Sequence, residues 1–141
     1  GLHPYFVRTP NSTITTKTEK MWVNDSENIP LSLEKSEEIK RLNHGFSVKQ
    51  KSLDNLFCGW NREVLISWPE WDAALKISAK SPLDYLVIFT PPEEDFFCVE
   101  PVSHVTDAFN LLENEPTGHG AKILLPDEVL EGKISFVPVL N

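Results

Sequence analysis

Three polar residues stand among apolar neighbours that make them costly to place, and each suggests a chemistry. Glu100 follows Phe96-Phe97-Cys98-Val99, a run with the composition of a buried strand. A carboxylate taken out of water is expensive to keep ionised. Burial also raises its pKa toward the range useful to a general base. The competing reading puts Glu100 at the strand end, facing solvent or paired to a lysine or arginine. His3 lies in Gly1-Leu2-His3-Pro4-Tyr5-Phe6. Imidazole changes charge near neutral pH, but a histidine in an aromatic run also serves as a hydrogen-bonded structural residue. Asp54, in Leu53-Asp54-Asn55-Leu56-Phe57, fits an Asx-turn that opens a strand. Trp60, Trp68 and Trp71 lie close in sequence. Aromatic faces suit the apolar C–H faces of sugar rings, although core packing is the commoner use.

Other chemistries have less support. His3, His44, His104 and His119 include no i, i+4 pair, and Cys58 and Cys98 are 40 positions apart (98 − 58). Spacing alone therefore predicts no metal site. No glycine-rich phosphate loop or Gly-x-Ser-x-Gly elbow is present. Gly118-His119-Gly120 reads as a plain loop, and Glu93-Glu94-Asp95 as a solvated acidic turn. Lys and Arg number 13 against 21 Asp and Glu, a formal charge of −8. That balance repels phosphate backbones and anionic lipid, so neither nucleic acid nor membrane is an expected partner. No apolar run approaches the roughly 18 residues of a membrane span. Two cysteines are too few for a disulfide framework, and a reduced, cytoplasmic chain fits them.

The elements that would position these residues are short. Eleven prolines in 141 residues punctuate brief apolar runs. Strands are predicted at residues 13–16, 21–24, 46–50, 62–68, 73–79, 85–89, 95–100, 122–124 and 132–139. Val64, Ile66 and Trp68 alternate with Glu63, Leu65 and Ser67, and Leu86-Val87-Ile88-Phe89 is apolar throughout, as a strand covered on both faces would be. Residues 32–43 read as a surface helix capped by Ser32 and ended by Asn43, with more helix starting near Asp107. Many short strands with proline-rich turns point to an all-β protein, an antiparallel sandwich or barrel. The aromatic run at Gly1 suggests that the chain is part of a longer polypeptide.

Longer motifs then resemble one family. Residues 90–110, Thr90-Pro91-Pro92-Glu93-Glu94-Asp95-Phe96-Phe97-Cys98-Val99-Glu100-Pro101-Val102-Ser103-His104-Val105-Thr106-Asp107-Ala108-Phe109-Asn110, resemble the signature stretch around the catalytic glutamate of the aldose 1-epimerases, or mutarotases. His3-Pro4-Tyr5-Phe6 resembles the family motif whose histidine is the general acid. Leu53-Asp54-Asn55-Leu56-Phe57-Cys58-Gly59-Trp60 resembles the segment whose aspartate binds sugar hydroxyls. Leu125-Pro126-Asp127-Glu128 is similar to the closing Pro-Gly-Glu turn, with Asp127 in place of glycine.

The resemblance implies a galactose mutarotase-like β-sandwich, with residues 1–141 forming the C-terminal portion of one domain and the N-terminal half absent. A second chain or segment supplying that half is then an expected partner. The implied activity is interconversion of the α and β anomers of a free hexose of galactose or glucose type, without metal or cofactor. Glu100 and His3 would be catalytic, Asp54 would hold hydroxyls, and Trp60 or Phe97 would stack on the ring. Two alternatives remain: a hexose-phosphate epimerase of the same superfamily, for which Arg8, Arg41 and Arg62 are a sparse phosphate set, and a non-catalytic sugar-binding or regulatory module.

Overall fold

A computed structural model describes residues 1–114 and 118–140. Two antiparallel sheets face one another. The first runs β1 (Tyr5–Val7), β10 (Phe96–Val102), β9 (Tyr85–Phe89), β6 (Asp54–Cys58), β3 (Lys20–Asn24), β4 (Pro30–Glu34). The second runs β11 (Ile134–Leu140), β8 (Ala73–Ala79), β7 (Glu63–Trp68), β2 (Thr13–Thr16), β5 (Phe46–Ser47). Side chains of period two from each sheet meet between them: Phe57, Leu86, Ile88, Phe97 and Val99 from the first, Ile14, Val64, Ile66 and Ile77 from the second. Helix α1 (Glu37–His44) adds Ile39 and Leu42 to the same core.

The outer face of the six-stranded sheet has a covered half and an open half. Leu56, Val87 and Val102 point away from the main core and form a second cluster with Trp22, Cys58 and Tyr85. Val105, Ala108, Leu111 and Ala121 cover it, brought there by the turn after β10, by α2 (Ala108–Asn114) and by the returning chain. Val105 N–H donates to the His119 carbonyl at 2.9 Å and the Tyr85 hydroxyl to the Gly118 carbonyl at 2.9 Å. Residues 118–120 are thus the loop expected, tethered by these two hydrogen bonds. Gly120 is needed there: at φ 73° a Cβ would lie 2.4 Å from the Ser103 carbonyl and 2.5 Å from the Tyr85 ring.

Several sequence expectations shift. Residues 32–43 are not one helix. Pro30–Glu34 pairs with β3, and α1 starts only at Glu37, with Ser36 at its N-cap in an extended conformation. The charged residues suit a helical surface, but pairing to β3 overrides local propensity. The helix ends at Gly45, φ 105°, rather than at Asn43. The strand expected at 46–50 is only Phe46–Ser47, and 122–124 forms none, with Ile123 79% exposed. Asp127 sits at φ 70° in its turn, a left-handed position that glycine adopts most easily and aspartate tolerates.

Candidate active site

The site is built by register. Leu2 N–H donates to the Pro101 carbonyl at 3.3 Å, and Tyr5 pairs with Cys98. These two anchors hold His3 against Glu100 although they are 97 positions apart (100 − 3) in the chain. His3 Nε2 lies 3.3 Å from Glu100 Oε1. The carboxylate side chain is 11% exposed and the imidazole 52%, so the pair joins a buried carboxyl to an accessible imidazole. Asp54 begins β6 opposite Phe89, which is opposite Cys98, which is opposite Tyr5. Cross-strand partners share a face. Asp54, Phe89, Cys98 and Tyr5 therefore form a row across the open half of the sheet, beside the row of Leu56, Val87 and Glu100.

The electrostatics follow from this placement. Burial pushes the Glu100 carboxyl above its ordinary 4.5, the nearby His3 opposes that rise, and the Asp54 charge adds to it. The Cys98 thiol, buried and beside Glu100, is pushed up to about 11. The His3 ring stacks on Tyr5 at 4.9 Å and 14°, Tyr5 meets Phe96 at 4.9 Å, and Phe96 meets Phe89 at 6.4 Å. A run of aromatic rings thus borders the acid–base pair. A concavity of about 550 Å³ lies elsewhere, between Arg8, Thr9, Lys51, Thr90 and Glu94. It includes neither His3 nor Glu100, and the chemistry belongs to the open sheet face on geometric grounds.

Two expected sugar contacts are corrected. Phe97 is fully buried between the sheets, against Phe6 at 5.7 Å. It is three residues from Glu100, and on a strand an odd separation places side chains on opposite faces. Trp60 is also a core residue, 6% exposed, and its indole N–H donates to Thr16 Oγ1 at 2.9 Å. Neither offers a face for a ring to stack on. Tyr5, Phe89 and Phe96 border the pair instead, and strand parity was the signal that would have found Phe96. Spacing predicted no metal-ligating group, yet His3, Cys98 and Glu100 bring one donor atom each within 4.8 Å of one another.

A model of the family described as aldose 1-epimerase matches residues 1–137. The chain belongs to the aldose 1-epimerase family. The Escherichia coli K12 protein YphB, itself uncharacterised, is 26% identical over 151 residues, covering 96% of this chain and 48% of YphB. A crystal structure from E. coli K12, provisionally named an aldose 1-epimerase, superposes with a TM-score of 0.85 at 24% identity over 99% of this chain and 49% of that one. A galactose mutarotase-like protein of Clostridium acetobutylicum gives 0.80 at 21% identity, over 94% of this chain and 42% of that one. The sandwich is therefore the galactose mutarotase-like fold, and this chain spans about half the length of the relatives it matches. Among the described residues no helix is long and apolar enough to cross a membrane.

Proposed function

We propose that this chain carries the acid–base half-site of an aldose 1-epimerase acting on a free hexose of galactose or glucose type. The observation that carries the reading is the 3.3 Å approach of His3 Nε2 to Glu100 Oε1 on an open sheet face. In a cyclic aldose the C1 hydroxyl and the ring oxygen are bonded to the same carbon, so an acid and a base held side by side match the two atoms that must exchange protons. Glu100 takes the proton from the C1 hydroxyl while protonated His3 gives one to the ring oxygen. The C1–O ring bond breaks to leave the aldehyde, the C1–C2 bond rotates, and closure on the other face reverses both transfers. Each group acts once as acid and once as base, which favours pKa values near neutrality. The raised Glu100 carboxyl moves in that direction.

Asp54 accepts hydrogen bonds from ring hydroxyls beside the pair, and the rings of Tyr5 and Phe96 offer apolar faces to the sugar's C–H bonds. In this proposal the opposite wall of the site belongs to a second segment and residues 1–141 form the C-terminal portion of the completed domain, a reading supported by the chain's spanning about half of its relatives. The acidic balance supports a neutral hexose over a phosphorylated one. Polarimetry with pure α-anomers of glucose and galactose tests the proposal, alone and with the complementary half supplied. Accelerated approach to anomeric equilibrium is expected with the completed sandwich. Sugar binding without acceleration would favour the binding-module reading.

A further inference from the structure

We propose that His3, Cys98 and Glu100 form a binding site for a thiophilic divalent cation of the zinc class. Cys98 and Glu100 are two apart on β10 and share a face, while His3 reaches them from the adjoining edge segment. One imidazole nitrogen, one sulfur and one carboxylate oxygen lie within 4.8 Å of one another. Tetrahedral zinc with ligand bonds of about 2.0–2.3 Å requires donors roughly 3.3–3.7 Å apart. The His3–Glu100 edge already measures 3.3 Å. The half-exposed His3 ring and the Cys98 rotamer have only a small inward adjustment to make.

The donor set decides the class of ion. Nitrogen, thiolate and a single carboxylate select zinc, cobalt or copper over magnesium and calcium, which prefer oxygen cages. Three protein donors, of which only His3 is exposed, leave a fourth position on the His3 side for water, as in zinc sites with an exchangeable ligand. The acid–base reading above gives no role to a sulfur at this point. A bound cation takes the lone pairs that the proton transfers use. Inhibition of anomer exchange follows, a consequence that rests on the proposed function, whereas the binding itself does not.

Cobalt titrated into the full chain reads binding directly through the near-ultraviolet thiolate-to-cobalt band. One ion per chain is expected, with the band kept in Cys58→Ser and lost in Cys98→Ser. His3→Ala should weaken binding by more than the roughly 10–100-fold that loss of a supporting hydrogen bond costs a metal site. Magnesium should neither bind nor displace cobalt. No band in the wild-type chain, or a band unchanged in Cys98→Ser, overturns the proposal. Should Cys98→Ser fail to fold by circular dichroism, zinc X-ray absorption on the wild-type chain decides instead. One sulfur at about 2.3 Å supports the site, and a shell of nitrogen and oxygen alone overturns it. In an active preparation, zinc should slow anomer exchange and a chelator restore it. A preparation that binds cobalt through Cys98 but never exchanges anomers would sink the catalytic reading and leave the cation site standing.

Discussion

Glu38 and Glu100 are both buried, at 7% and 8% exposure, yet they occupy different electrostatic settings. Glu38 sits in the first turn of α1, where the helix dipole favours an anion, and its carboxylate is paired directly with Lys51. Glu100 has an imidazole beside it, an open sheet face above it, and a second carboxylate near enough to raise its pKa. Glu38 meets a lysine ammonium at a helix N-terminus, a setting that suits a structural carboxylate. A partner whose type titrates near neutrality, together with a like charge, leaves the proton on Glu100 negotiable. Equal burial thus separates into a structural and a chemical role only when the surrounding charges are counted.

The largest effect expected is on turnover. Glu100→Gln keeps the shape and removes the base, so kcat/KM for anomer exchange should fall about 10²–10⁴-fold. Stability should move the other way. Because folding raises the Glu100 pKa above 4.5, ionising it works against the folded state. That group's stabilising contribution is complete below the unfolded carboxylate pKa and is lost as pH rises through the folded value. Glu100→Gln should therefore melt higher than wild type at neutral pH and show no such advantage in acid. A melting temperature that falls at neutral pH would place Glu100 with Glu38 as a structural charge. Phe97, on the other face of the same strand, should behave oppositely. Phe97→Ala should cost about 3–5 kcal/mol of stability by denaturant unfolding. A loss under about 1 kcal/mol would mean that β10 is not packed as described.

The other half of the comparison is tested at Lys51. Lys51→Met leaves the buried Glu38 carboxylate without its cation. Lys51 is itself 47% exposed, so solvent partly compensates. A loss of about 1–3 kcal/mol is expected, with anomer exchange at wild-type rate. A matching fall in kcat/KM with stability intact would remove the distinction between the two glutamates.

What was legible in the sequence follows the range of the forces involved. Strands 13–16, 73–79 and 85–89 coincide with β2, β8 and β9 because alternation and short apolar runs are local signals. The family motifs around Glu100, His3 and Asp54 were legible as well, and the fold does bring those three to one sheet face. The core position of Trp60 is not legible locally, because its environment is set at Thr16, 44 positions away. The core position of Phe97 is legible locally, since strand parity separates it from Glu100. The grouping of Cys98 with His3 could not be read from spacing, because it depends on which edge segment docks beside β10.

The smallest effect is also the most diagnostic of the charge arrangement. The acid limb of kcat/KM against pH reports the free enzyme's essential base, which is Glu100 in the proposed mechanism. Asp54 raises the Glu100 pKa and His3 lowers it. Asp54→Asn should therefore move the limb to lower pH, whatever it does to KM through lost hydroxyl contacts. His3→Asn should move the limb of the residual activity to higher pH, because the opposing cation is gone and burial remains. Shifts of opposite sign from two neutralising substitutions cannot come from a general loosening of the site, which would move both the same way. Two shifts of the same sign would mean that a different base sets the limb, and the contrast between Glu100 and Glu38 would have to be drawn from geometry alone.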